Sequence, residues 1–339
     1  MTSDIDLILD RINYDPRKNL SGAELDASHL TTLPFPSGYA PRPLKAVQTD
    51  ENAPLPQADA LVVTYTVAEG YALADVLTPG LNTTDWTKYK NGWSELKAQI
   101  VGDRAPSLNL GYSAIWAETR IGDMHIIVVK SELHPATDGQ NLPMRALWKQ
   151  MIEQVKPSVV ITTGTAGGIG AQTQLGDVIV SGDVVTNCQK SFKNESWAKN
   201  VYASSAFSLP SSPEYTKLVA VNASNLGSYL KRPIDTLNGD IESVDFFAFG
   251  DETDSYGLAA FDAHARAVEM DDFALGLAIQ DIGEDAPHWA AIRNASDPSM
   301  PHMATLEEES KAASDIYEKY GYWTSIGSVL ACWSILSGV

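Results

Sequence analysis

A short apolar segment that ends in glycines constrains the fold of this chain more than any other feature. It runs from Val159 to Gly170 and reads VVITTGTAGGIG. The β-branched residues favour a buried strand, since the run is too short for a helix. The glycines favour a following loop whose main-chain N–H groups can approach a ligand, because no Cβ atom keeps the ligand away. The segment therefore predicts a strand that ends in a ligand-binding loop, with a plain tight turn as the alternative.

Two common phosphate-binding patterns do not fit this segment. A P-loop requires Gly-Lys-Ser or Gly-Lys-Thr after the strand, and neither follows here. The glycine spacing also matches no register of the dinucleotide fingerprint.

The charge of the chain disfavours nucleic acid as a partner. The 43 acidic and 24 basic side chains give a formal net charge of −19, which would repel the phosphate backbone of a nucleic acid. We therefore expect a small-molecule ligand and no nucleic-acid partner.

The cysteines and the apolar segments predict a protein of the reducing cytoplasm. Cys188 and Cys332 lie far apart and show no CxxC spacing, so neither a disulfide nor a structural zinc site is expected. The first residues lack the basic and apolar regions of a signal peptide. The stretch from Tyr322 to Leu336 is the most apolar helix candidate, but it is too short to span a bilayer comfortably. We expect that stretch to pack on the core, and we expect no membrane partner.

The order of strand and helix patterns predicts an α/β protein. Residues 1–57 are polar and rich in proline, which favours an arm on the surface over an independent domain. Residues 58–339 alternate between strand and helix patterns, which predicts one α/β domain with a central mixed twisted β-sheet flanked by helices and with insertions near 80–110 and 188–235. The predicted strands are 61–66, 112–118, 124–130, 159–163, 178–185, 241–249, 265–270 and 288–294, and the predicted helices are 68–76, 142–155, 215–229, 271–281, 304–319 and 322–336.

Acidic residues lie where several predicted strands end. Glu69 follows the first strand, Glu269 and Asp271 lie at the end of the strand at 265–270, and Asp297 follows the last strand. Open α/β sheets bind ligands at the carboxyl ends of their strands, so these residues predict an active site at one edge of the sheet. Simpler explanations stay open at this point. Asp297 precedes a proline and could be a turn residue or a helix cap, and Glu69 could complement a helix dipole.

The sequence resembles the nucleoside phosphorylase and nucleosidase superfamily, specifically its branch of methylthioadenosine/S-adenosylhomocysteine nucleosidases. The resemblance covers roughly residues 58–330 and rests on short segments that come in the family's order. These segments are TGTAGG at 163–168, LGDV at 175–178, SVDFF at 243–247, VEMD at 268–271 and RNASD at 293–297. The resemblance implies a nucleoside phosphorylase-like fold, cleavage of an N-glycosidic bond in a nucleoside or nucleotide, no metal or organic cofactor, and a homodimer or higher homo-oligomer.

The resemblance also implies roles for individual residues. Cleavage of an N-ribosidic bond passes through an oxocarbenium-like sugar, so an enzyme needs an acid for the leaving base and a base for water. By resemblance, Asp297 is the acid at N7 of a purine, and Glu69 takes the proton of the attacking water. Asp271 would bind the ribose hydroxyls, although the family usually has a glutamate there, and the shorter side chain could alter the preferred substrate.

The other substrate-binding residues implied by the resemblance surround the nucleophile, the sugar and the base. Phe247 would stack on the base, although Phe246, Phe249 and Tyr256 are competing aromatic residues nearby. Glu269 is either a second ribose contact or a solvated residue. The remaining residues are Thr165, Gly164, Ala166 and Gly167 around the nucleophile and Met270 under the sugar.

The nucleophile separates hydrolysis from phosphorolysis. Phosphorylases of the superfamily carry an arginine two residues before the first glycine of the loop, where it binds phosphate. Thr162 occupies that position here, and the carboxylate of Glu69 would repel phosphate but could activate water. We therefore expect a nucleosidase, because a phosphorylase would need the charge of Arg104, Arg120, Arg145 or an arginine from a partner subunit. A non-catalytic nucleoside or nucleotide sensor is a third alternative, which is disfavoured because it would need neither an acid nor a base.

Overall fold

The computed structural model of the protein describes residues 4–19, 33–44, 50–247, 261, 263–298 and 305–339. The strands in these residues are β1 (Arg42–Pro43), β2 (Ala60–Thr64), β3 (Thr87–Tyr89), β4 (Ala114–Ile121), β5 (Met124–Ser131), β6 (Val159–Gly168), β7 (Val178–Asn187), β8 (Val201–Ala203), β9 (Thr236–Val244), β10 (Ala265–Glu269) and β11 (His288–Asp297). The α-helices there are α1 (Asp4–Asn13), α2 (Pro16–Asn19), α3 (Val67–Leu77), α4 (Trp93–Lys97), α5 (Pro106–Leu110), α6 (Pro135–Asp138), α7 (Pro143–Val155), α8 (Pro213–Ala223), α9 (Asp272–Ile282) and α10 (Leu306–Ser337).

All of these strands belong to one mixed sheet that contains a closed ring. The strand order is β1-β4-β5-β2-β6-β10-β9-β7-β11, while β3 pairs with β4, β8 pairs with β7, and β11 returns to pair with β6. This return closes β6, β10, β9, β7 and β11 into a small barrel. Strands β2 and β11 both run parallel to β6, so these three strands end at the same edge of the sheet. Side chains that follow them are therefore brought together.

Helices cover both faces of the sheet and bury its centre. Residues of α3, α8 and α10 belong to one apolar cluster, and residues of α7 and α9 belong to the other. Strand β2 (ALVVT) is buried along its whole length, as expected for a parallel strand that is covered on both faces. The predicted α/β fold with a central mixed sheet flanked by helices is confirmed, and the closure of the ring is a feature that the sequence patterns do not predict.

The C-terminal region forms one helix, so the prediction of two helices at 304–319 and 322–336 is wrong. Helix α10 runs unbroken from Leu306 to Ser337. Gly321 lies in its interior, where glycine costs roughly 1 kcal/mol relative to alanine. Packing offsets this cost, because α10 lies against α3, β6 and β11, and a Cβ at residue 321 would come within 2.9 Å of the Tyr317 ring. No helix in the described part of the chain is both long and apolar enough to cross a membrane.

Two other regions are more regular than the sequence predicts. The predicted irregular region at 80–110 contains β3, α4 and α5, and the polar N-terminal arm contains α1 and α2.

Strand β9 begins and ends about five residues before the predicted strand at 241–249, because its partners β7 and β10 pair with Thr236–Val244. Phe249, the acidic loop at 251–254 and Tyr256 lie outside the described residues.

Candidate active site

A pocket opens at the edge where β2, β6 and β11 end. It is partly open to solvent, and its cavity volume is about 80 Å³. Gly164 is the one predicted site residue that does not line it. The predicted residues that do line it are Glu69, Thr165, Ala166, Gly167, Phe247, Glu269, Met270, Asp271 and Asp297, and further lining residues are Ile8, Arg11, Ile12, Thr66, His134, Val244, Phe246 and Val268.

The glycine segment is part of a strand, so the prediction of a loop after residue 163 is wrong. Strand β6 continues to Gly168, because β11 pairs with it on one side and the end of β10 pairs with it on the other. The glycines allow close packing within the sheet edge. A Cβ at Gly164 would lie 2.6 Å from the carboxyl group of Glu69, and a Cβ at Gly167 would lie 3.1 Å from Val268. Glycine at these positions therefore makes room for protein side chains, the Glu69 carboxylate among them.

Glu69 sits in the first turn of α3 and holds the start of that helix. It forms a capping box with Thr66, whose hydroxyl accepts from the N–H of Glu69 while its own N–H donates to Oε2 of Glu69 at 2.9 Å. The same Oε2 accepts from the hydroxyl of Thr64 at 2.8 Å and from the N–H of Tyr65 at 3.0 Å. Oε2 therefore accepts these hydrogen bonds from the turn between β2 and α3, and the bonds fix the side chain at the pocket wall.

The second oxygen of Glu69 faces the glycine segment. Oε1 accepts from the N–H and the hydroxyl of Thr165, at 2.8 and 2.7 Å. Burial alone would raise the pKa of Glu69, but the Arg293 guanidinium and the hydrogen bonds from Thr165 and Thr66 outweigh it and lower that pKa. Glu69 is therefore an ionised carboxylate at the pocket wall.

Arg293 lies fully buried in the middle of β11 and neutralises a group of carboxylates. It contacts Asp272 with Nε at 2.9 Å and Nη2 at 2.5 Å. Nη2 is also 3.0 Å from Oε2 of Glu269, and Nη1 is 3.9 Å from Oδ2 of Asp271. Burial and neighbouring carboxylates raise the pKa of both Glu269 and Asp271. One guanidinium thus faces three carboxyl groups, which favours retention of a proton within the cluster.

His134 lies beside the predicted ribose-binding residue, Asp271. Its Nε2 is 3.0 Å from Oδ1 of Asp271, yet this buried Oδ1 has no aligned hydrogen-bond donor among the residues that the structure describes. Burial lowers the pKa of His134 to about 3, so the ring is neutral at physiological pH. Because Nδ1 accepts from the N–H of Ala136 at 3.1 Å, the ring proton is on Nε2. The pocket wall thus offers an acceptor on Asp271 and a donor on His134.

Asp297 is the last residue of β11, and its side chain is only 10% exposed. Its Oδ1 accepts from the hydroxyl of Ser296 at 2.8 Å and from Nη2 of Arg11 at 2.5 Å. Arg11 belongs to α1, in the N-terminal arm for which the sequence offers no role. Its guanidinium carbon lies 5.5 Å from the centre of the Phe247 ring and 4.8 Å from that of Tyr317. The arm therefore reaches the predicted acid and the predicted stacking ring.

The SVDFF segment combines a structural residue with pocket residues. Asp245 accepts hydrogen bonds from the main-chain N–H groups of Gln189, Lys190 and Phe192 and so holds the loop after β7. Phe246 and Phe247 both line the pocket, so the choice between them as the stacking ring stays a prediction.

The sequence predicts no role for Arg11, His134 and Arg293, three ionisable residues that the structure places in or beside the pocket. Only Arg293 carries a signal in the sequence, as a charged residue that directly follows the apolar stretch 289–292.

Cys188 and Cys332 are buried free thiols. Within the described ranges no group of three or more His, Cys, Asp and Glu side chains is arranged to hold a metal ion.

Comparison with known proteins identifies the family of the chain. The sequence model of the phosphorylase superfamily matches residues 121–318, which is more than half of the chain. The chain belongs to this superfamily. The resemblance derived from the short sequence segments is thereby confirmed at the level of the superfamily. No curated protein matched the chain.

Solved structures of the same fold include several nucleosidases. A 5′-methylthioadenosine/S-adenosylhomocysteine nucleosidase from Helicobacter pylori is 15% identical with a TM-score of 0.53, and the match covers 84% of this chain and 99% of that one. A futalosine hydrolase from the same organism is 15% identical with a TM-score of 0.52, covering 83% and 100%. A 5′-methylthioadenosine/S-adenosylhomocysteine nucleosidase from Colwellia psychrerythraea, solved with adenine, is 15% identical with a TM-score of 0.50, covering 84% and 96%. At this identity the likeness shows a shared fold.

Proposed function

We propose that this protein is a purine-type nucleosidase that hydrolyses the N-glycosidic bond of an adenosine-like nucleoside or nucleotide. The observation that carries the proposal is the meeting, in one pocket, of the Asp297 carboxyl with the buried Oδ1 of Asp271 that has no aligned donor. Cleavage of a riboside needs an acid for the leaving base, and an acceptor for the ribose hydroxyls holds the sugar beside that acid. Glu69 in the same pocket supplies the base that the reaction needs for water. Membership of the phosphorylase superfamily and the nucleosidase folds that the chain resembles support the same reaction.

The leaving base and the sugar are each held by a different part of the pocket. Asp297 donates a proton to N7 of the purine as the bond breaks, so that the base leaves without negative charge. Phe247 packs on the face of the base. Asp271 accepts from the ribose hydroxyls, Met270 packs under the sugar, and the N–H on Nε2 of His134 adds a donor at the same place.

Water attacks the anomeric carbon from the side of Glu69. Oε2 is held by the turn before α3, whereas both donors to Oε1 come from Thr165, whose hydroxyl can rotate. When the hydroxyl of Thr165 rotates toward the water, Oε1 of Glu69 loses the hydrogen bond from this hydroxyl. Oε1 then accepts the proton of the attacking water instead. Thr165, Ala166 and Gly167 line the pocket, and we assign them to the subsite of the attacking water. Arg293 does not touch the substrate but positions Asp271 and Glu269 by its charge.

The first test is a search for the substrate. The protein is incubated in phosphate-free buffer with adenosine, adenosine monophosphate, 5′-methylthioadenosine and S-adenosylhomocysteine, and free adenine is separated and measured. We expect adenine from at least one of them. The absence of free base from all of them, with unchanged nucleosides bound to the protein, would favour the sensor instead.

We predict that base release is independent of phosphate. Arg104 pairs with Asp6, Arg145 pairs with Asp281, and Arg120 donates to a main-chain oxygen, and none of the three lines the pocket. Arg293 is paired with buried carboxylates, and Arg11, the arginine that lines the pocket, is paired with Asp297. Among the described residues the pocket therefore offers no unpaired guanidinium for a dianion. The products should be free base and free sugar, and added phosphate should not raise the rate. Base release that requires phosphate and yields a sugar 1-phosphate would identify a phosphorylase.

We predict that Asp271→Ala discriminates between sugars. The variant should bind ribosides about 1.5–3 kcal/mol more weakly, the cost of a charge-assisted hydrogen bond, while 2′-deoxyribosides lose less because they offer one hydroxyl fewer. The KM values for adenosine and 2′-deoxyadenosine are compared in both proteins. Asp271→Glu keeps a carboxylate and should keep the preference for ribose. Equal losses for both sugars in Asp271→Ala would place this residue outside the ribose subsite.

The cytoplasmic location, the homo-oligomer, the lack of a nucleic-acid partner and the division into an arm at 1–57 and a domain at 58–339 stay predictions from the sequence. They do not enter the proposed reaction, which uses side chains of one chain.

A further inference from the structure

Helix α1 places a guanidinium where the leaving base is expected to bind. Nη2 of Arg11 donates to Oδ1 of Asp297 at 2.5 Å, and the guanidinium carbon lies 5.5 Å from the centre of the Phe247 ring. These two residues are the acid and the stacking ring of the proposed reaction. A guanidinium is planar, donates to a carboxylate and stacks on aromatic rings, so it can fill the space between an acid and a stacking ring that the base would otherwise take. We propose that Arg11 occupies the base subsite in a closed form of the protein and competes there with the leaving base, an inference that rests on the proposed function.

In the closed arrangement the proposed acid already has a partner from α1. Oδ1 of Asp297 accepts hydrogen bonds from Ser296 and Arg11, so the guanidinium takes a position beside this carboxyl group that the proposed reaction needs for the base. Ile8 and Ile12, one helical turn apart on α1, are each 5% exposed and line the same pocket. A purine can reach Asp297 only when α1 moves its side chains out of the pocket.

The contacts of α1 hold it in place but leave it displaceable. Nε of Arg11 is buried and has no hydrogen-bond partner in the described part of the chain, so the guanidinium is only partly hydrogen-bonded there. Both side chains of the ion pair between Asp6 and Arg104 are exposed, and exposed ion pairs contribute little to stability. Helix α2 has an anchor of its own, since Arg17 lies 3.8 Å above the Tyr71 ring. Helix α1 can therefore leave the pocket while α2 stays on the surface.

Competition of this kind lowers the apparent affinity for the base but not for the sugar. A ligand that binds only the open form has its dissociation constant divided by the open fraction. Adenine needs the subsite that Arg11 fills, whereas ribose alone needs only Asp271 and its neighbours. Removal of the Arg11 side chain should therefore raise the affinity for adenine and leave the affinity for ribose unchanged.

The test uses the full-length protein, the Arg11→Gln variant and the control Lys18→Gln. Lys18 lies on α2, is 80% exposed and does not line the pocket, so the control removes the same charge from the same arm. Adenine binding is measured by titration calorimetry, and KM and kcat are measured by base release. If the closed form is about nine-tenths populated, Arg11→Gln should bind adenine roughly tenfold more tightly. KM should fall by the same factor at unchanged kcat, the inhibition constant of ribose should not change, and Lys18→Gln should match the natural protein.

Two outcomes would overturn the inference. Weaker adenine binding by Arg11→Gln would show that Arg11 is part of the site for the base, and unchanged binding would show that it does not compete. A second variant, Arg104→Gln, loosens α1 from outside the pocket and should shift adenine binding in the same direction by a smaller factor. If base is released with the same KM by all proteins, the proposed function stands and this inference fails. If none binds adenine or releases a base, the proposed function fails first.

Discussion

Asp297→Asn is expected to lower the rate of base release by roughly 10²–10⁴-fold, the usual contribution of a general acid. The amide keeps the shape of the side chain at the end of β11 but has no acidic proton for N7. The fold and the binding of substrate should be kept, because Ser296 can still donate to the remaining carbonyl oxygen. The measurement is single-turnover release of adenine from the best substrate of the nucleoside panel.

The matched control is Asp281→Asn, which makes the same chemical change on α9, at a partly exposed ion pair with Arg145 of α7 outside the pocket. We expect this control to keep its rate. A near-normal rate in Asp297→Asn, on a substrate whose base is a poor leaving group, would leave Asp297 as a structural residue at the strand end.

Arg293→Met is expected to destabilise the fold by about 3–5 kcal/mol, the cost of removing one partner from a buried ion cluster. Arg293 is fully buried, and its removal leaves Glu269, Asp271 and Asp272 without their shared positive charge. Burial already raises the pKa of Glu269 and Asp271, and loss of the guanidinium raises the folded-state values further. Their protonation therefore rescues the variant as the pH falls, so the difference in stability should be largest at neutral and higher pH.

Urea unfolding at several pH values measures this difference. Arg145→Met is the control, because it removes a guanidinium from a pair in which both side chains are about one-third exposed. We expect the control to change the free energy of unfolding by less than about 1 kcal/mol at each pH. An Arg293→Met protein as stable as the natural one at neutral pH would mean that the carboxylates are neutral without the guanidinium.

The sequence predicts the elements of this fold better than their ends. Strands β2, β4, β5, β7 and β11 and helices α3, α7 and α9 lie where hydrophobic periodicity predicts them. The errors occur where tertiary packing outweighs a local preference. Gly321 does not end a helix, because α10 packs along its length on the sheet, and Gly164 to Gly168 do not form a loop, because β10 and β11 pair with that segment.

The candidate site was predicted as a set of residues rather than as an arrangement. Glu69 follows β2 and Asp297 ends β11, and both strands run parallel to β6, so these two residues meet as the strand-end argument expects. Asp271 reaches the same pocket from β10, which pairs antiparallel with β6. Gly164 was named for its amide, yet it packs under the carboxylate of Glu69. His134 gave no signal, because a histidine after a strand is equally compatible with a helix cap, and it does cap α6.

The sequence by itself determined the α/β class, the superfamily and the acidic residues at the strand ends, because each is written in short segments whose chemistry depends on near neighbours. Only the tertiary structure decided which distant segments meet. It joined β11 to β6 and closed the ring, and it put three carboxyl groups around Arg293. It also carried Arg11 to Asp297 across 286 positions of the chain. Contacts of this range depend on how whole helices and strands pack, and no periodicity within a single segment encodes them.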